Sequence, residues 1–484
     1  MKTRVLSLVL ALILLLSTLA GCGTGNTASN TGSTDKPAQT GSTTQTNANN
    51  VPGEPGSENT TSGDHTLYPE PDYSDFVMPE ETNKLVVYVG EFTSKVTTQA
   101  LRLFGEKYPN VQVDYQIMKD SECRERIRTE IAAGKGPDII LANGTDLPDI
   151  YKTMSTMILE DLNPYVMNDA DFKISDYIGS VMDGGVMYGK RYLLPVAYQF
   201  PMLMTTAEIL SDIGVEADSL GTYQGFMDAC AAYHEKIPDG KLFEYVGNSS
   251  NLRNLFEYVG FRMIDYERNV VSFNEERFQQ MIEVCRLFEG TVPKEEFADM
   301  ASTVLADKGC LFGKAESVML TLWDCVLLRM FGFHPILTLA ADENDGATAQ
   351  ISYFSAIPGG AANKLNGWRL IKILLSDEIQ YGIDDTKQNQ MSLFPVGNPV
   401  RIESMQKLIR YFGASYIEEY PDYMTEEDMQ QFIDTTMAVT AAAMRPAVIY
   451  NDVMDNMKPY ITGKDSYEKC LGRLKNELEL YKDE

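Results

Sequence analysis

Apolar and polar positions divide the chain into three stretches. Val5 to Leu16 is an apolar run preceded by Lys2 and Arg4 and followed by Ser17, Thr18, Leu19, Ala20, Gly21 and Cys22. It falls short of the roughly 20 apolar residues that cross a hydrocarbon core. Its basic start and small-residue exit predict a signal peptide over residues 1–21. From Gly23 to about Pro79, Thr, Asn, Ser, Gly, Gln, Pro and acids dominate, with hardly an apolar residue before Leu67. So little apolar surface cannot offset roughly 1 to 2 kcal/mol of backbone ordering per residue, which predicts a solvated coil over residues 22–82. As a flexible tether this stretch has a typical end-to-end distance of about 40 Å; the plainer alternative is a spacer through a cell wall.

Beyond Asn83 the pattern becomes regular. Lys84 to Val89 (KLVVYV) reads as an apolar strand ended by Gly90. Thr93 or Ser94 caps a helix whose Val96, Ala100, Leu103, Phe104 and Tyr108 share one face until Pro109-Asn110. Val111 to Ile117 (VQVDYQI) alternates as a second strand. Asp120 or Ser121 then starts a helix with Ile127 and Ile131 inward and Gly134 at its end, and Asp138 to Ala142 (DIILA) reads as a third, fully buried strand. Strand, helix, strand, helix, strand predicts a parallel α/β unit. Such sheets bind ligands at the carboxyl ends of their strands, here the loops Gly90 to Thr93 and Asn143 to Asp146.

Composition narrows the classes of function. Without Lys2 and Arg4 the 41 basic residues become 39 against 69 acidic, a formal net charge of −30. Such a surface repels nucleic-acid phosphate and anionic lipid alike. About 400 residues follow Asn83, more than one core accommodates and suited to two lobes. Cys123, Cys230, Cys285, Cys310, Cys325 and Cys470 form no CxxC or regular framework and read as buried small hydrophobes, with disulfide pairing left open. His65, His234 and His334 stand apart, with no HxxxH or Cys/His spacing for a metal and no partner set for a catalytic triad. Neither a GxSxG elbow nor a phosphate loop occurs, since Gly313-Lys314-Ala315 lacks the preceding glycine spacing and the hydroxyl. No cofactor is expected. A glycosidase-type carboxylate pair stays open as an enzymatic alternative, because an acidic chain always offers candidates.

Leu19-Ala20-Gly21-Cys22 resembles the lipobox of bacterial lipoproteins, which implies a diacylglyceryl group on the Cys22 thiol and a mature chain that begins there. From Asn83 onward the chain resembles the extracellular solute-binding proteins of the sugar-binding family, the receptors of ATP-driven importers. The resemblance rests on Ala132 to Ile140 (AAGKGPDII), Leu159 to Tyr165 (LEDLNPY), Tyr188 to Val196 (YGKRYLLPV), Phe312 to Met319 (FGKAESVM) with Trp323, Leu374 to Glu378 (LLSDE) and Tyr460 to Lys469 (YITGKDSYEK), in the family's order and spacing. It implies an α/β fold of two lobes, each a mixed, mainly parallel sheet flanked by helices, joined by several crossings and closing by hinge bending. One lobe is placed at 83–197 plus 358–394 and the other at 198–357 plus 395–484. The implied function is non-enzymatic: a monomeric receptor, lipid-anchored on the outer face of a bacterial cell membrane, that delivers a small polar solute, a sugar or short oligosaccharide, to ABC transporter permease subunits. A membrane sensor kinase as the partner, and a surface glycan-processing enzyme, are the alternatives.

Sugar hydroxyls call for carboxylate and amide acceptors, and sugar C–H faces for aromatic rings. Glu91 after the first strand, Asn143 and Asp146 after the third, and Tyr198 with Gln199 after the presumed crossing are the candidates, together with Trp323 as stacking ring and Asp324 beside it. Each has a plainer alternative. Glu91 can be an exposed loop acid, Asn143-Gly144 a turn capped by Asp146, and Trp323 a core residue beside Leu322, Val326 and Leu327. Trp368 matches the family's apolar helix and is assigned to packing. Met204-Thr205-Thr206 stands where many members carry Tyr-Asn-Lys, which removes a commonly used aromatic. With two tryptophans in the chain, a long cleft lined by several indoles is excluded.

Overall fold

The computed structural model describes Tyr68 and residues 71–483, apart from 145, 148, 245–249, 291–299, 316, 384–392, 394–395 and 445. The predicted signal peptide, Cys22, nearly all of the tether before residue 71 and the lobe boundary at 394–395 lie outside the described residues.

The apolar alternation after Asn83 folds as a parallel unit. β1 (Lys84–Gly90) pairs in parallel with β2 (Gln112–Met118), and β3 (Ile140–Ala142) joins through a parallel bridge between Val87 and Ile139. The connecting helix Ser94–Lys107 buries Val96, Ala100 and Phe104, as its 3.6-residue period requires. β2 departs from expectation. It is largely exposed, Tyr115 and Ile117 included, because β1 is its one neighbour in that sheet. Between helix Asp120–Ala132 and β3 the chain turns through Gly134 and Gly136, at φ 66° and 124°, a backbone that costs glycine little. Asp138 of the same segment is buried. Its carboxylate accepts the Val86 amide at 2.7 Å and the Asn363 amide and side chain at 2.9 and 2.8 Å, so this acid ties β1 to the segment entering helix Lys364–Leu374.

The remaining strands build two further sheets. β4 (Val186–Met187) and β5 (Lys190–Arg191) form a hairpin, and β6 (Leu194–Gln199) is separated from β7 (Met202–Thr206) by Phe200 and Pro201 alone. Next come β8 (Lys241–Phe243), the hairpin β9 (Ile264–Asp265) and β10 (Val270–Val271), β11 (Cys310–Lys314), β12 (Pro335–Leu339), β13 (Thr348–Ala356), β14 (Asn398–Pro399) and β15 (Ala441–Ala443). One sheet runs β14-β6-β13-β15 with β3 also on β13; the other runs β12-β7-β11-β8. These are the centres of two lobes. The chain crosses between them from β6 to β7 and from β12 to β13, and the crossings run side by side, with Gln199 opposite Gln350 and the Ala340 amide bonded to the Pro201 carbonyl at 2.7 Å. Both sheets are mixed: β13 is antiparallel to β3 and β6 and parallel to β15, while β11 is parallel to β8 and antiparallel to β7.

Two boundaries shift. β13, β14 and β15 hydrogen-bond within the first lobe's sheet, although the sequence assigns 198–357 and 395–484 to the second lobe. A crossing strand carries no mark in its own residues of which sheet it joins. The ordered body also begins before Asn83. Tyr73 donates its hydroxyl to Asp161, and the Phe76 ring meets that of Tyr165 at 5.1 Å. A few aromatic side chains suffice to anchor a polar segment that has no periodicity. The cysteines at 123, 230, 285, 310, 325 and 470 are buried, unlinked thiols.

Candidate functional site

Where the crossings meet the second lobe, a solvent-open concavity of about 430 Å³ is lined by Gln199, Phe200, Pro201, Glu257, Tyr258, Lys314, Thr348 and Gln350. Strand alternation exposes Gln199 while turning Tyr198 into the core, and the register of β6 on β13 sets Gln350 beside it. Lys314 ends β11. Its backbone amide donates to both oxygens of Glu244 at 3.1 and 3.0 Å, and its ammonium donates to Asn254 Oδ1 at 3.3 Å, so both ends of the residue are held. Glu257 and Tyr258 come from helix Asn251–Val259, which starts on a Ser250 hydroxyl cap and stops at Gly260 with φ 72°. The Tyr258 ring stacks on Phe243 at 5.7 Å, and Glu257 lies 3.8 Å from Arg253. Two amides, a carboxylate, an ammonium and a phenol ring therefore surround one opening, an inventory suited to a polyhydroxylated molecule with C–H faces.

A second concavity of about 310 Å³ lies at the carboxyl ends of β1 and β3, among Gly90, Phe92, Thr93, Asp120, Cys123, Arg124, Ile127, Leu141, Asn143 and Asp146. Its charges serve one another. Asp146 accepts the Asn143 amide at 2.8 Å and Arg124 Nη1 at 3.3 Å, and Asp120 accepts the Phe92 amide at 3.1 Å. The Asp120 carboxylate also comes within 2.5 Å of where a Cβ on Gly90 would stand, so a side chain there would make that carboxylate shift. Burial pushes the Asp146 carboxyl above its ordinary range despite the Asn143 amide and Arg124. Burial, with Asp146 nearby, pushes the Cys123 thiol up to about 11.

The predicted residues separate into groups. Asn143 and Asp146 meet in the strand-end pocket, with exposed Glu91 beside it but not among its lining, its carbonyl engaged by Ser94. Gln199 lines the crossing pocket. Tyr198 and Asp324 do not reach an opening. Tyr198 is fully buried, and its hydroxyl has no hydrogen-bond partner among the described residues. Asp324 accepts the Ser302 amide and hydroxyl at 3.2 and 2.7 Å. Trp323 is half-buried against Tyr416 and Tyr420, with ring centroids 5.6 and 5.4 Å away. The cause for this pair is that Val318–Met330 is a helix, so Trp323 and Asp324 point into helix packing instead of standing at a strand end. Lys314, Glu257, Tyr258 and Gln350 were not among the sequence candidates. Lys314 was visible inside the Phe312-Gly313-Lys314 segment; Glu257 and Tyr258 carry no signal beyond adjoining the apolar face of a short helix.

Residues 87–256 match the family model of the bacterial extracellular solute-binding protein. Among solved structures, the sugar-binding protein MalE of Xanthomonas citri is similar at a TM-score of 0.58 and 16% identity, over 83% of this chain and 97% of that one. An extracellular solute-binding protein family 1 member from Alicyclobacillus acidocaldarius gives 0.54 and 15%, over 84% and 100%. The GacH receptor of Streptomyces glaucescens, solved unliganded and with acarbose, gives 0.52 and 14%, over 84% and 100%. At these identities the likeness shows the fold, which is that of the family 1 solute-binding proteins. No curated protein sequence matches this chain.

Proposed function

We propose that this chain is a solute receptor, held at the outer face of a bacterial membrane by lipid on Cys22, that captures a sugar or short oligosaccharide between its lobes and hands it to an ABC-type importer. The observation that carries this reading is the crossing pocket. It draws Gln199 and Gln350 from the crossing strands and Glu257, Tyr258 and Lys314 from the second lobe, so one solute touches both the moving lobe and the hinge. The amides accept from and donate to hydroxyls, the carboxylate accepts, the ammonium donates, and the Tyr258 face covers C–H surface. No reacting group need change protonation, in keeping with capture and release.

The test is a thermal-shift screen of the body from residue 71 against monosaccharides, oligosaccharides, polyols and amino acids, with mass spectrometry of any compound that co-purifies. A ligand that binds only the folded state raises its melting temperature. A carbohydrate that does so, and loses the shift in Gln199→Ala, supports the reading. Shifts produced by amino acids alone would replace the solute class, and a screen without any shift would remove the receptor assignment.

A further inference from the structure

Both elements that carry the pockets lead onward to a single contact between the lobes. Asp146 of the strand-end pocket is followed three residues later by Asp149, and Glu257 and Tyr258 of the crossing pocket lead through Gly260 into the β9–β10 hairpin. There the Tyr266 ring stacks on Tyr151 of the first lobe at 5.1 Å and 21°, and its hydroxyl donates to Asp149 Oδ2 at 2.8 Å. The Tyr266 carbonyl accepts the Tyr188 hydroxyl at 3.1 Å, and Glu267 accepts the Tyr188 amide. From the last turn of the C-terminal helix Tyr467–Asp483, Tyr481 donates its hydroxyl to the same Asp149 oxygen, while Lys152 lies over its ring at 3.8 Å and donates to its carbonyl. We propose that the β9–β10 hairpin and the end of the C-terminal helix form a tyrosine clasp that holds the two lobes together across the site and sets how readily a captured solute is released. The proposal rests on the two-lobed receptor reading above.

The parts are built for a joint that opens. Asp149 Oδ1 accepts the Tyr151 and Lys152 amides at 2.8 and 3.3 Å, which caps its own helix and stays with the first lobe in any motion. Oδ2 takes its two phenol donors from the other lobe. Asp149 is 3% exposed, so these donors stand in for water around a buried carboxylate, and parting the lobes lets water take their place. The hairpin is self-supporting: the Asp265 carboxylate accepts the Glu267 and Arg268 amides, both at 3.1 Å, and presents Tyr266 and Glu267 as a unit. The C-terminal helix is fixed in the second lobe by buried Cys470, Leu474 and Leu478, leaving Tyr481 to reach across. Parting the lobes would therefore exchange these contacts for water with little to deform in either lobe.

The body labelled at Glu122→Cys and Glu235→Cys, one exposed position on each lobe, reports the interlobe distance by pulsed electron spin resonance, because the native thiols are buried. The comparison is with Tyr266→Phe/Tyr481→Phe, which keeps both rings and removes both donors. Hydrogen bonds to a charged group are each worth about a factor of ten or more, so the variant, which loses two, should gain a longer-distance population, with the open-to-closed ratio raised about a hundredfold. An unchanged distance distribution in a folded variant overturns the clasp. Should the double variant fail to fold, Tyr481→Phe alone, in the last helical turn, gives the same readout. The measurement needs no solute. A body that binds none of the screened compounds but shows the longer population loses the receptor reading and keeps the clasp; one that binds a compound with wild-type distances in the variant loses the clasp alone.

Discussion

The two lobes treat their charges in opposite ways. In the first, Arg124 and Asp146 at the strand ends are spent on each other, and the lobe's large aromatic, Trp368, is sealed between Tyr165 and Phe172 with its indole N–H on Asp169 at 2.7 Å. In the second, Lys314 and Glu257 face an opening and Trp323 is only half covered. The rule that open α/β sheets bind at their carboxyl strand ends is satisfied by both places, so position alone does not select the site. The difference lies in where their partners stand: Arg124 and Asp146 pair within one pocket's own lining, whereas Lys314 and Glu257 are held from outside their opening, by Asn254 and Arg253.

The largest expected effect tests the sealed side. Trp368→Ala removes a fully buried ring and a hydrogen bond to Asp169, and should cost about 3 to 5 kcal/mol in urea unfolding with solute affinity per folded molecule unchanged. Next comes the open side. Lys314→Met should weaken binding of whichever compound gives the largest thermal shift by about 10- to 100-fold in calorimetry, the worth of a charged hydrogen bond, whereas Arg124→Met should change it less than about threefold. The reverse pattern would place the solute at the strand ends and break the comparison.

Periodicity made the first lobe legible in the sequence. β1, β3 and the helix between β1 and β2 follow from runs such as KLVVYV and DIILA, and the glycines that turn the chain before β3 stand in the segment that resembles the family. The site was legible only in part. Gln199 was a candidate from its place after the crossing, and it is the one exposed residue of β6, whose five preceding residues are buried. Tyr198, one residue away and on the opposite face, is among those five. Gln350 depends on antiparallel pairing between segments 150 residues apart in the chain, and Glu257 and Tyr258 on how a short helix docks; neither leaves a local trace. Trp323 could be read from its segment either as a stacking ring or as a helix residue beside Leu322, Val326 and Leu327, and the chain is helical from Val318 with the ring against Tyr416 and Tyr420.

Trp323→Ala sharpens the contrast between the tryptophans. Its ring loses contact with Tyr416 and Tyr420 but was never fully buried, so the cost should be nearer 1 to 3 kcal/mol, about half that of Trp368→Ala, with affinity per folded molecule retained. Lost affinity at unchanged stability would instead make this aromatic trio the solute's resting place and reopen the stacking role that the sequence suggested.

The smallest effect has a sign that separates the lobes. Burial raises the Asp146 carboxyl above the ordinary aspartate range, outweighing the Asn143 amide and Arg124. The stability this contributes is complete below the unfolded value and is lost as pH rises through the folded one. At Asp428 in the second lobe burial also pushes upward, but Arg329 and the Thr425 hydroxyl and amide outweigh it and hold the carboxyl low. There the contribution is present above the unfolded value and disappears as pH falls through the folded one. Unfolding of Asp146→Asn and Asp428→Asn between about pH 3 and 7 should therefore show opposite trends against wild type. Going up in pH, the first variant should gain stability relative to wild type, and the second should lose it. Parallel trends would mean that Arg124 holds Asp146 as firmly as Arg329 holds Asp428, and that the strand-end pocket is no less prepared for a charge than the other lobe.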